Sequence, residues 1–161
     1  MIARAGLQHG FTLIEILLVI VIMGIFLTLA APSFVTFTSG QKVKTASFDL
    51  YAAMMFARSE AIKRRVNVTV APTDAVDWKN GWTVVATGVA TPLRTQDSLS
   101  GVVFSGATSV VYRLDGRLTS AAALGVLIQP QTANSTIQNR CIRVDLTGLP
   151  KTTQTTTTTC P

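Results

Sequence analysis

The run from Phe11 to Ala31 constrains this chain more than any other feature. It is apolar at almost every position and about as long as a membrane-spanning helix, yet it carries a carboxylate at Glu15. An ionised carboxylate at membrane depth costs roughly 2.5 to 3.5 kcal/mol on insertion scales, so a plain anchor has no reason to keep one unless a partner waits for it. A secretory signal peptide fits no better, because its apolar region of about 7 to 15 residues precedes a small-residue cut site. Here Met1 to Gly10 is a short leader with Arg4 and no acid; it precedes the apolar run, and that run meets Pro32 directly.

Beyond Pro32 the pattern changes but remains helical. Val43, Ala46, Leu50, Ala53, Ala57 and Ala61 recur at spacings of three and four, which puts small and apolar side chains on one face through about Arg65. Residues 33–65 thus read as the amphipathic half of a helix whose apolar half is 11–32. At 1.5 Å per residue the two halves reach about 80 Å, far more than a domain of about 100 residues can cover, so the first half is expected to protrude. Gly40 is the weak point, since an interior glycine costs about 1 kcal/mol and can mark a bend. The helix closes on "ARSEAIKRR", with cations in its last turns and Glu60 four residues before Arg64.

From residue 66 to 161 the period is that of strands. "VNVTVA", "GWTVVAT", "VVFS", "SVVYRL", "LGVLIQ" and "CIRVDL" are short β-branched runs separated by turn signals at Asn80-Gly81, Asp115-Gly116 and Thr147-Gly148. No second long amphipathic segment intervenes, so the expected class is α+β, a mostly antiparallel sheet, in one piece or two, packed on the helix. Trp78 and Trp82 flank Lys79-Asn80-Gly81 and read as a hairpin whose indoles cover the sheet. The threonine-rich "KTTQTTTTTC" reads as an extended surface loop. Cys141 and Cys160 read as a disulfide in a chain built for export, the alternative being two unrelated thiols. Closing that loop stabilises the fold by about 3 kcal/mol.

The opening "G-FTLIE" followed by a long apolar helix resembles the processing site of type IV pilins, minor pilins and pseudopilins. "LYAAMMFARSEAIKRR", "DWKNGWTVV" and "YRLDGRL" narrow the resemblance to the FimT/FimU/GspH minor-pilin family. The resemblance implies a prepilin peptidase that cuts between Gly10 and Phe11 and methylates the new amino terminus at Phe11. It gives Glu15 a role in assembly, meeting the terminal amine of a neighbouring subunit and so fixing the stagger between helices, and it marks Gly24 and Pro32 as places where the helix loosens or kinks. Implied partners are other minor pilins, the major pilin, the inner-membrane assembly platform and, before assembly, the membrane itself. The implied location is an inner-membrane precursor with its folded part in the periplasm, then a pilus or a periplasmic pseudopilus. FimU-like, FimT-like and GspH-like members imply, in turn, pilus assembly and twitching motility, DNA uptake, and type II secretion.

Chemistry is expected to be absent. The sole histidine, His9, lies in the leader, so no Ser-His or Cys-His pair forms in the mature chain. Asp74 and Asp77 are too sparse for a calcium loop, no phosphate-binding glycine loop precedes a helix, and neither cofactor nor metal is expected. The net charge of +6 permits contact with anionic partners and is met equally by an ordinary solvated surface. FimT-like DNA receptors carry a Gly-Arg-x-Arg signature. The matching stretch here is Gly148-Leu149-Pro150-Lys151, which lacks both arginines. A weak patch of Arg140, Arg143 and Lys151 remains possible for DNA, with Arg140 and Arg143 expected on opposite strand faces.

Overall fold

The computed structural model describes residues 11–133 and 136–160, and the side chains of 29–32 lie outside the described residues, as does Gly10. Helix α1 (Leu13–Arg64) contributes to two compact units that divide between Val35 and Thr36. In the first unit Thr12 caps the helix. Its hydroxyl and its carbonyl accept the Glu15 backbone N–H at 3.3 and 3.1 Å, so "TLIE" is the Thr-x-x-Glu pattern of a helix start, with Glu15 in the first turn where the helix dipole favours a carboxylate. Every side chain from Phe11 to Thr28 is exposed, nearly all of them apolar. No single described helix is long and apolar enough to cross a membrane; Leu13–Thr28 meets that test only together with the segment that begins at Ser33.

In the second unit, α1 runs through Gly40 without ending there. Its periodic face is buried as the spacing predicts, Leu50, Ala53, Ala57 and Ala61 fully so. Four alanines on that face keep the helix slim where strands approach. Among the described residues eight strands follow: β1 (Val68–Pro72), β2 (Trp82–Ala86), β3 (Arg94–Gln96), β4 (Val102–Gly106), β5 (Val110–Tyr112), β6 (Leu124–Pro130), β7 (Asn139–Val144) and β8 (Pro150–Thr155). They form two four-stranded antiparallel sheets, ordered β3-β2-β1-β5 and β4-β6-β7-β8. Alternation selects one face of β1, β2, β4, β6 and β7 for the core: Val68 and Val70, Val84 and Ala86, Val102 and Phe104, Val126 and Ile128, Ile142 and Val144.

Two outward positions break this alternation. Leu127 and Cys141 are buried although they are cross-strand neighbours on the far side of the second sheet and stand outside the main core. The cause is the Cys141–Cys160 disulfide, which folds the C-terminal segment over that face. Gly125 leaves room for it, since a Cβ at 125 would sit 2.9 Å from the Cys160 Cβ and 3.1 Å from its Sγ. The threonine segment, expected as a loop, is half strand: Pro150–Thr155 pairs along β7, because β-branched threonine suits an extended edge and Pro150 stands at the strand's first residue. Trp78 and Trp82 also differ from expectation. They do not flank a tight hairpin; Trp78 opens a 3-10 turn (Trp78–Asn80) inside the long β1–β2 connection, and Trp82 begins β2. Both indoles are buried, with ring centroids 6.3 Å apart, and Trp82 meets Phe104 of the second sheet at 6.2 Å.

Arg58 joins the two sheets from the helix. Its Nε donates to the Gly116 carbonyl at 3.0 Å and its guanidinium to the Thr147 carbonyl at 3.4 Å, tying the turn after β5 to the β7–β8 turn. Those turns touch: Gly148 has φ +80°, and a Cβ there would lie 1.9 Å from the Gly116 oxygen. Arg58→Ala is expected to cost about 1 to 3 kcal/mol in a denaturant titration, and Arg58→Lys to recover only part, since an ammonium lacks the fork that reaches two carbonyls. Gly125→Val is expected to leave the two cysteines reactive to maleimide, with Gly125→Ala intermediate; full oxidation in the valine variant contradicts this account.

Candidate functional site

Two regions hold the residues that the sequence singles out. Among the described residues of the first unit, Phe11 is 79% exposed, Glu15 follows one helical turn later, and nothing lies within 4 Å of a side chain added at Gly24. The apolar side chains around Glu15, including Ile14, Ile16, Leu17 and Leu18, leave no side of the helix polar enough to face water. Such a helix is stable only where other apolar groups surround it, and within that surrounding an ionised carboxylate without a partner is strongly unfavourable.

The second region is the outer part of the second sheet. Arg143 and Lys151 are directly opposed on β7 and β8, while Arg140 opposes Gln154 and has the parity of the core-facing Ile142. The three cations therefore divide between two faces. Lys151 lies 3.8 Å from Asp145, whose carboxyl the Thr147 hydroxyl and the Leu149 and Thr147 backbone amides hold below the usual carboxylate range. That aspartate serves the turn.

The loop between β1 and β2 uses its acids the same way. Asp74 accepts the N–H groups of Val76 and Asp77 at 3.0 and 3.1 Å and the Asn80 side-chain amide at 2.6 Å, and Asp77 caps the 3-10 turn by accepting Lys79 N–H at 2.9 Å. Their oxygens are turned onto amide donors, the opposite of an open cation loop. The same bonds, that from Asn80 foremost, lower the Asp74 pKa to about 2. At the end of α1, Glu60 meets Arg64 at 2.5 Å and Lys63 at 3.6 Å, and the Arg64 hydrogen bond holds its carboxyl below the ordinary value. These carboxylates secure turns and a helix end.

A helix whose first part is apolar on all sides, followed by a second part that carries two antiparallel sheets, defines a pilin-like subunit. A family model described as Type II transport protein GspH matches residues 46–148, and the prokaryotic N-terminal methylation motif matches residues 6–31. The chain belongs to the GspH family of type IV minor pilins and pseudopilins. Its fold is similar to that of the type IV minor pilin FimU of Pseudomonas aeruginosa, with a TM-score of 0.60 at 21% identity over 73% of this chain and 91% of that one. It is similar also to the minor pseudopilin EpsH from the Type 2 Secretion System of Vibrio cholerae, with a TM-score of 0.56 at 13% identity over 70% and 97%. No curated protein matches the chain in sequence.

Because the folded-state pKa of Asp74 is depressed, its contribution is complete above the ordinary value of 3.8 and is lost as pH falls toward about 2. The melting temperature is expected to drop over that interval, and Asp74→Ala to flatten the drop while lowering the plateau above it. An equally steep fall in the variant removes Asp74 as its source.

Proposed function

We propose that the chain is a minor pilin of a type IV pilus, FimU-like, assembled at or near the tip and contributing to pilus assembly and twitching motility. The observation that carries this reading is the exposed apolar helix from Phe11 with Glu15 in its first turn. Cleavage after Gly10 leaves a cation on Phe11. A carboxylate one turn from such a terminus pairs with the terminus of a neighbouring copy only at one stagger, so the charge sets register in a bundle whose strength comes from apolar packing. Before assembly the same helix is held in the inner membrane with the sheets in the periplasm. The partners in this reading are a prepilin peptidase, the assembly platform, other minor pilins and the major pilin.

Two alternatives have observations in their favour. The GspH family match and the likeness to EpsH support a pseudopilin of a type II secretion system. The cross-strand neighbours Arg143 and Lys151 support a FimT-like DNA receptor, although both arginines of that signature are missing. Loss of piliation, of secretion or of DNA uptake on deleting the gene separates the three, and absence of a salt-sensitive electrophoretic shift removes the last.

Glu15→Ala is expected to leave membrane insertion and cleavage intact while sharply reducing incorporation into filaments, read by blotting of sheared filaments against membrane fractions. The mass of the mature wild-type chain is expected to begin at a methylated Phe11. Normal incorporation of the alanine variant overturns the register role.

A further inference from the structure

Among the described residues β8 is the last strand of its sheet, with β7 as its one strand neighbour. The pairing identifies which backbone groups face away. Asp145 N–H donates to the Leu149 carbonyl, so the hydrogen-bonded pairs of this ladder fall at 145/149, 143/151 and every second pair beyond, and Thr152 and Gln154 turn their N–H and C=O groups outward. Pro150, which has no N–H, stands at an outward position and so costs the ladder nothing. An outward row of this kind pairs readily with another extended chain.

Beside that edge runs a groove of about 890 Å³ between α1 and β8. Its walls carry Phe48, 69% exposed, and the half-buried Tyr51 from the helix, with Lys44 on the helix, Arg140 on β7 and Lys151 on β8. No carboxylate among the described residues lines it. Among the described residues neither Lys44 nor Arg140 has an acid within salt-bridge reach, whereas Lys151, which borders the groove, sends its side chain to the other face of the sheet, toward Asp145. An exposed phenylalanine beside two cations and an unpaired strand edge specifies an occupant that is extended, partly apolar and acidic.

We propose that this groove receives an extended acidic segment of another protein, which pairs its backbone with β8, lays an apolar side chain over Phe48 and Tyr51, and sets carboxylates against Lys44 and Arg140. A second copy of this chain is a poor occupant, because at net +6 its surface repels the same cations. Nucleic acid would use the cations and the rings but not the outward amides of Thr152 and Gln154. The proposal stands on the second unit alone and holds for a pilus or a pseudopilus alike, so its failure leaves the pilin reading untouched.

The test is fluorescence anisotropy with the full chain in detergent micelles and a labelled peptide of about nine residues that alternates glutamate and valine around one central phenylalanine. Binding is expected to weaken with salt, and to weaken about tenfold or more in the Lys44→Glu, Arg140→Glu double variant. A similar loss is expected with Thr152→Pro, which removes an outward donor and leaves the β7 ladder whole. The same peptide N-methylated at alternate residues controls for any effect of proline on folding and is expected not to bind. Absence of binding, or binding that keeps its affinity despite the charge reversals or the backbone methylation, overturns the proposal. So does displacement of the peptide by oligothymidylate that itself binds in a Thr152→Pro-independent manner with higher affinity.

Discussion

The second unit depends on one burial: the alanine-bearing face of α1 against the inner faces of two sheets. Ala46, Ala53, Ala57 and Ala61 add little apolar area of their own, and their smallness leaves room in the shared core for the β-branched and aromatic side chains of both sheets. Leu50 and Met54 fill what the alanines leave. A larger residue at any of those alanines overpacks a surface with no slack, whereas the exposed side of the same turns tolerates Phe48 and Lys44. The division of labour between one face that fixes the fold and another that stays available is written into a single helix.

Around that burial, polar groups act as fasteners. Arg58 holds a turn from each sheet, Asp74, Asp77 and Asp145 hold the turns themselves, and Glu60 secures the helix end. The Trp78 Nε1 bond to the Ala107 carbonyl, at 2.8 Å, does the same between the long β1–β2 connection and the end of β4. Each charged member of this set is spent on backbone groups or on a neighbouring charge. The cations Lys44 and Arg140 are the contrast, since they face the groove beside β8 with no acid among the described residues within salt-bridge reach.

Periodicity carried much of this fold. The helix face was legible because burial on one side demands a three-four spacing, and six strands were legible because burial on one face demands alternation. β3 was not, for Arg94–Gln96 is short and polar and is held by pairing with β2 alone. β8 hid inside a threonine-rich stretch whose composition suits loop and edge equally, and only its partner β7 decides between them. The Thr12-x-x-Glu15 cap was in plain sight as a pattern but was overshadowed by the hydropathy problem that Glu15 poses. The Arg58 fastening and the groove have no local signature, because carbonyl acceptors belong to every residue and the groove's walls come from segments about a hundred positions apart.

The apolar sleeve around the first turns of α1, Leu13 to Leu27, carries a consequence for the life of the molecule. A helix with a single greasy stripe can turn that stripe inward and wait in water; this one has no orientation that hides it. Any surrounding in which this part of the helix comes to rest has to supply apolar groups on all sides at once, which one flat protein surface does not do.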